Sequence, residues 1–214
     1  EKPNLMDFKI ASVDSMLIEF GSVISLETSQ KVKFYYEKLK GFEGVIDLVP
    51  SYTTVLVIYD IVKTSFKQIK ERIESIEYKI SQENKSIKLF EIPVYYGEEV
   101  ALDLERISNF KKISKEDIIA SHTSKIYNVF AIGFAPGFAY LGEVSEQISM
   151  ARLETPRKVV PKGSVGIADT QTAIYPQNSP GGWNIIGSTL FDMFDKTIDE
   201  LCPLSMGDKV KFTS

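Results

Sequence analysis

From Tyr127 onward, glycine and proline cut the chain into short β-type runs, and that punctuation excludes a helical second half. Pro136-Gly137, Pro161-Lys162-Gly163 and Pro180-Gly181-Gly182 follow one another closely. Proline removes a backbone donor and glycine raises the entropic cost of helix, so no long helix survives between such pairs. The texture predicts a β-barrel or sandwich of many short strands.

The preceding residues obey other periodicities. Ser15–Phe20 reads as a strand closed by Gly21, and Val32, Tyr35, Tyr36 and Leu39 recur at helical spacing, with Gly41 placed as a C′ glycine. Val45–Val49 and Val55–Tyr59 are β-branched runs joined through Pro50-Ser51-Tyr52. Ser65 and Gln68 have capping-box spacing and open a helix expected to bury Phe66, Ile69, Ile73, Ile76 and Ile80. Ile87–Tyr95 reads as a further strand. The order β-α-β-β-α-β predicts a ferredoxin-like α+β domain over residues 1–96. Two short helices, Leu102–Phe110 and Ile113–His122, then lead into the strand-rich region, so residues 97–214 form the second domain.

Composition narrows the possible functions. The chain of 214 residues is 43% hydrophobic and 25% charged, with a formal net charge of −4, so no basic field favours nucleic acid or an anionic membrane. No apolar run reaches spanning length. One cysteine, Cys202, excludes an internal disulfide framework and fits a reducing cytoplasm. With one histidine and one cysteine, no zinc site of the usual ligand types is expected.

Three segments carry residue types that folding alone does not demand. Gly133–Gly142 (GFAPGFAYLG) holds Phe134, Phe138 and Tyr140 on a turn-rich loop, either as a pocket wall or packed inward. It lacks the Gly-Lys-Ser/Thr of a phosphate loop. In Thr155–Asp169, the planar fork of Arg157 suits a carboxylate and Lys162 offers a point charge. Ser164 has a nucleophile's setting in outline only, because Lys162 replaces the first glycine of Gly-x-Ser-x-Gly. In Gln171–Asn184, the side chains of Gln171, Tyr175, Gln177 and Asn178 match the paired N–H and C=O of an amide. Trp183, the only tryptophan, either stacks on a flat ring or plugs the core. His122 closes a helix, where carbonyl dipoles favour imidazolium; it is either an ordinary cap or a proton-transfer group at a pocket rim.

Together these segments resemble the family of the 5-oxoprolinase B subunit, known also as allophanate hydrolase subunit 1 and as the kinase A inhibitor of sporulating bacteria. The likeness extends through Leu17–Gly21, Val49–Tyr52, Ile92–Gly97 and His122. It departs from the pattern at Asp169-Thr170, where glycine or asparagine is common, and at Ala173, where glycine is common. The resemblance implies a cyclophilin-like β-barrel for residues 97–214. It also implies work with sister subunits C and A, which together convert 5-oxo-L-proline to L-glutamate at the expense of ATP. Its alternatives are another urea- or allophanate-type amide enzyme, or an inhibitor of a sporulation histidine kinase. Isomerase activity suggested by the barrel is the weakest reading.

Phosphorylation of a lactam oxygen would make its carbon attackable, leaving positioning and charge stabilisation to the protein. The chain has no Walker motif, so ATP is expected at a subunit interface or on a partner. The candidate catalytic residues are His122, Lys162 and Gln171, and the candidate substrate-binding residues are Arg157, Tyr175, Ser179 and Trp183. No metal is expected on this chain.

Overall fold

A computed structural model describes residues 6–78, 87–197 and 201–214. The chain divides into two compact units, Glu1–Lys85 and Ser86–Ser214.

The first unit contains β1 (Asp7–Ser12), β2 (Ser15–Glu19), α1 (Leu26–Leu39), β3 (Val45–Pro50), β4 (Thr54–Tyr59) and α2 (Phe66–Glu74). Its antiparallel sheet has the order β1-β2-β4-β3. Ser25 starts α1 by accepting the Thr28 N–H at 3.1 Å, and the helix buries Val32, Tyr35 and Leu39. Tyr36 is half-buried, with the Lys40 ammonium over its ring. The helix ends at Lys40 in right-handed geometry, so Gly41 does not act as a left-handed terminator. Ser65 and Gln68 close the expected capping box on α2. That helix buries Ile69 and Ile73, with Phe66 and Ile76 half-buried; Ile80 lies outside the described residues. The order expected from sequence places a strand after α2 on the sheet edge beside β2. The N-terminal hairpin strand β1, unremarkable in composition, holds that edge instead.

The second unit contains β5 (Leu89–Pro93), α3 (Leu104–Lys111), α4 (Lys115–Ser124), β6 (Ile126–Ile132), β7 (Ala139–Gly142), β8 (Arg157–Val160), β9 (Ser164–Ala168), β10 (Gln171–Ile174), β11 (Ser179–Gly181), β12 (Asn184–Ser188) and β13 (Lys209–Thr213). Seven strands form one sheet in the order β12-β9-β10-β7-β6-β13-β5, while β8 and β11 form a separate ribbon. β5 pairs in parallel with β13, from Leu89↔Lys209 to Pro93↔Thr213. This long-range ladder ties the strand expected in the first domain to the second unit, so the division falls at 85/86 rather than 96/97. The sheet curls until its edges meet: Tyr95 N–H donates to Ser188 O at 2.7 Å, and Ser188 N–H donates to Tyr95 O at 2.8 Å.

Strand alternation sorts the second unit's core into two clusters on opposite faces of the sheet. Tyr127, Val129, Ala139, Leu141, Val165, Ile167, Ile174, Ile186, Val210 and Phe212 join Leu104, Ile107 and Ile118 of the helices in the main core. Phe138, Ala168, Ala173, Tyr175, Trp183 and Ile185 form a smaller cluster on the other face, under Val160 of the ribbon. Ser114 caps α4 by accepting the Asp117 N–H at 3.0 Å. Among the described residues no helix is long and apolar enough to cross a membrane.

Candidate functional site

The smaller cluster is built from the segments that stood out in the sequence. Phe138 is its centre: its ring lies 5.5 Å from Phe134, 4.9 Å from Tyr140, 5.3 Å from Tyr175 and 5.6 Å from Trp183. Edge-to-face geometry dominates, as the ring quadrupoles favour. Small residues make the packing possible. A Cβ on Gly181 would overlap the Tyr175 hydroxyl, and one on Gly166 would press on Trp183 Cβ at 3.1 Å. Ala173 is fully buried opposite Tyr140, so its methyl adds to the cluster's floor where the family commonly has glycine. Asp169 has φ 53°, which explains why glycine or asparagine is common there. Ser164 is buried in β9, away from any nucleophile's exposure.

Of the two readings for Trp183, the structure shows the plug: the ring is 5% exposed within this cluster. Tyr175 is 1% exposed, and burial raises its phenol pKa against the opposing effects of a Trp183 backbone hydrogen bond and the Arg152 and Arg157 charges. Gln171 is half-buried at the start of β10, opposite Gly142. It shares a face with Ala173 and hence with the half-buried Tyr140 on the neighbouring strand. Ser179, on the ribbon, stands opposite Val160. Gln171, Tyr140, Tyr175 and Trp183 thus share one face of the sheet, as the separated segments led one to expect.

Both expected cations are committed within the protein. Arg157 Nη2 donates to Asp103 Oδ1 at 2.8 Å, and the other carboxylate oxygen accepts the Ile185 N–H at 2.7 Å. Asp103 is 3% exposed, so this pair fastens the ribbon and the start of α3 to β12. Arg157 Nη1 is buried without a hydrogen-bond partner. Lys162 Nζ lies 2.5 Å from Asp192 Oδ1, and its backbone N–H donates to Asn178 Oδ1 at 2.8 Å. Next to Asp103, Arg106 bonds Asn184 Oδ1, while Asn184 Nδ2 donates to Ile167 O and Ala151 O, each at 3.0 Å.

His122 is corrected more sharply. It is fully buried in the main core, stacked on Phe212 with centroids 4.5 Å apart, rather than at a pocket rim. Thr172 Oγ1 donates to Gly166 O at 3.0 Å and therefore accepts from His122 Nε2–H at 2.9 Å. Nδ1 then accepts from the Tyr96 hydroxyl at 2.8 Å. This network fixes a neutral imidazole, and burial lowers its pKa to about 3. The helix-end dipole, which suggested imidazolium, is outweighed by desolvation.

Sequence reasoning overlooks Arg152. Its guanidinium lies 5.8 Å from the Trp183 ring centre, and the side chain is exposed. The signal lies in the sequence, since Arg152 stands only five positions before Arg157 in the same segment.

Residues 6–204 match the family described as carboxyltransferase domain, subdomain C and D. The chain belongs to this family. It is 35% identical over 211 residues to the 5-oxoprolinase B subunit of Bacillus subtilis (strain 168), covering 92% of this chain and 88% of the relative. The resemblance to the 5-oxoprolinase B subunit carried by the three segments is thus shown. Among solved structures, TTHA0988 superposes with TM-score 0.83 at 31% identity over 93% of this chain, which spans 39% of that longer chain. The urea amidolyase of K. lactis shares the fold at TM-score 0.78 and 19% identity, over 97% of this chain and 15% of that protein. Family membership makes the chain part of an enzyme complex, in keeping with the subunit naming of its relatives.

Proposed function

We propose that this chain is a subunit of an ATP-dependent 5-oxoprolinase, in which the second face of the curled sheet presents amide-binding groups to the substrate. The observation that carries the reading is the gathering of Gln171, Tyr140, Tyr175 and Trp183 on one face, in a chain 35% identical to a 5-oxoprolinase B subunit. Gln171 offers both a donor and an acceptor to the lactam edge, and the aromatic cluster forms an apolar surface beside it. ATP binds on a partner or at the shared interface, with sister subunits C and A completing the reaction. Within that scheme the second unit is a cyclophilin-like barrel, and the ribbon borders the amide site through Ser179. His122 stabilises the core beneath it; it takes no part in proton transfer at the surface. The partners and ATP together supply the activated lactam, and this chain positions it.

The test is reconstitution with the sister subunits and measurement of 5-oxoproline-dependent ATP hydrolysis. The complex is expected to turn over, and the purified chain to show negligible activity. Robust turnover by the chain alone, or a complex that works equally well without it, contradicts the proposal. Inhibition of a histidine kinase without any lactam-dependent turnover would favour the regulatory reading.

A further inference from the structure

The proposed substrate carries a carboxylate beside its lactam, and the cations first expected to meet it are already occupied. The chain has four arginines. Arg72 donates to Glu43 O and lies over Phe42, Arg106 bonds Asn184, and Arg157 pairs with Asp103. Lys162 is held by Asp192. Arg152 alone among these arginines makes no hydrogen bond or carboxylate pair with the described residues; it lies over the face of Trp183 at 5.8 Å.

Its backbone is nevertheless fixed on both sides. Asp169 N–H donates to Met150 O at 2.7 Å, Asn184 Nδ2 donates to Ala151 O at 3.0 Å, and Leu153 N–H donates to Gly182 O at 2.7 Å. The segment is thus strapped between the end of β9 and the turn that carries Trp183. An exposed guanidinium on a pinned backbone, resting on an aromatic face, keeps its planar donor fork available. Its charge also reaches the hydroxyls of Tyr140 and Tyr175, where it opposes the effect of burial. The positive charge therefore stands beside the same aromatic face that Gln171 shares.

We propose that Arg152, held over Trp183, receives the carboxylate of a small amide substrate and so selects acidic lactams over neutral ones. The inference rests on the reading of this face as the amide site. It assigns the anion subsite to Arg152 rather than to Arg157, which acts as a positioning residue through Asp103.

Trp183, the only tryptophan in the chain, supplies a direct readout through its fluorescence. Emission is titrated with 5-oxo-L-proline, with 2-pyrrolidinone (the lactam without carboxylate) and with acetate, using wild type and Arg152→Gln. The same variant is assayed in the reconstituted complex. Loss of a charge-assisted contact is expected to weaken 5-oxoproline binding roughly tenfold or more, leaving 2-pyrrolidinone unchanged. KM for 5-oxoproline should rise more than kcat falls. Equal binding of the two lactams by wild type, or equal binding of 5-oxoproline by wild type and variant, overturns the subsite while leaving the amide reading intact. Arg152-dependent binding of acetate with no added benefit from the lactam ring supports the subsite and overturns the amide reading. No emission change with any probe, together with an unchanged KM in the complex, overturns both.

Discussion

Replacement of Asp103 by alanine should destabilise the second unit more than any surface change, because one carboxylate serves two buried partners. Its Oδ2 accepts the Ile185 N–H at 2.7 Å and its Oδ1 accepts from Arg157 at 2.8 Å, with the aspartate side chain only 5% exposed. Stranding a buried backbone donor costs about 1–3 kcal/mol. Removing one member of a buried ion pair costs about 3–5 kcal/mol in all, a figure reduced here because water still reaches the Arg157 side chain, which is 27% exposed. We therefore expect a loss of about 3 kcal/mol for Asp103→Ala, and about half that for Asp103→Asn, which keeps an acceptor for Ile185. Urea unfolding followed through Trp183 emission reports this unit, since the tryptophan lies within it. In an Arg157→Met background the Asp103→Ala penalty should shrink by roughly 1–2 kcal/mol, the coupling expected of contacting residues. A loss below about 1 kcal/mol for Asp103→Ala, or strict additivity with Arg157→Met, would refute the reasoning.

Two further outcomes follow from the core. His122 is held near pKa 3 in the folded chain against 6.5 in a free side chain, so its contribution is complete above pH 6.5 and is lost as pH falls. At about 1.4 kcal/mol per pH unit, roughly 2 kcal/mol should be gone by pH 5, and NMR should show an imidazole that does not titrate near 6.5 while the chain remains folded. Trp183→Ala should lower unfolding free energy by about 3–5 kcal/mol, as expected for a buried plug, measurable by thermal melting; a near-neutral change would contradict the packed arrangement.

Much of the fold is legible because local chemistry and tertiary structure agree. The Ser25, Ser65 and Ser114 caps mark three helix starts, although Ser25 lacks the Glu or Gln three residues on that would make it conspicuous. The glycine–proline texture after Tyr127 marks the short strands of the curled sheet. Pairings between distant strands leave no such trace. Nothing local to Leu89–Pro93 says that its partner is Lys209–Thr213, and nothing in Asp7–Ser12 says that it takes the edge beside β2. The site follows the same rule. Residue types place Gln171, Tyr175 and Trp183 correctly on one face, because strand alternation from Gln171 and the aromatic-rich turn are local. Arg157 and Lys162 mislead because their counter-charges, Asp103 and Asp192, are remote in sequence. His122 misleads because a helix-end position does not reveal burial beside Phe212.

The central claim is that the face bearing Gln171 handles the lactam within an ATP-dependent complex. The most direct measurement is 5-oxoproline-dependent ATP hydrolysis by the reconstituted complex carrying wild type or Gln171→Ala, with melting of the variant chain checked alongside. The account predicts a folded variant whose complex loses turnover by roughly tenfold or more, as expected when a substrate's polar edge is left unpaired. Wild-type turnover from the Gln171→Ala complex would contradict it.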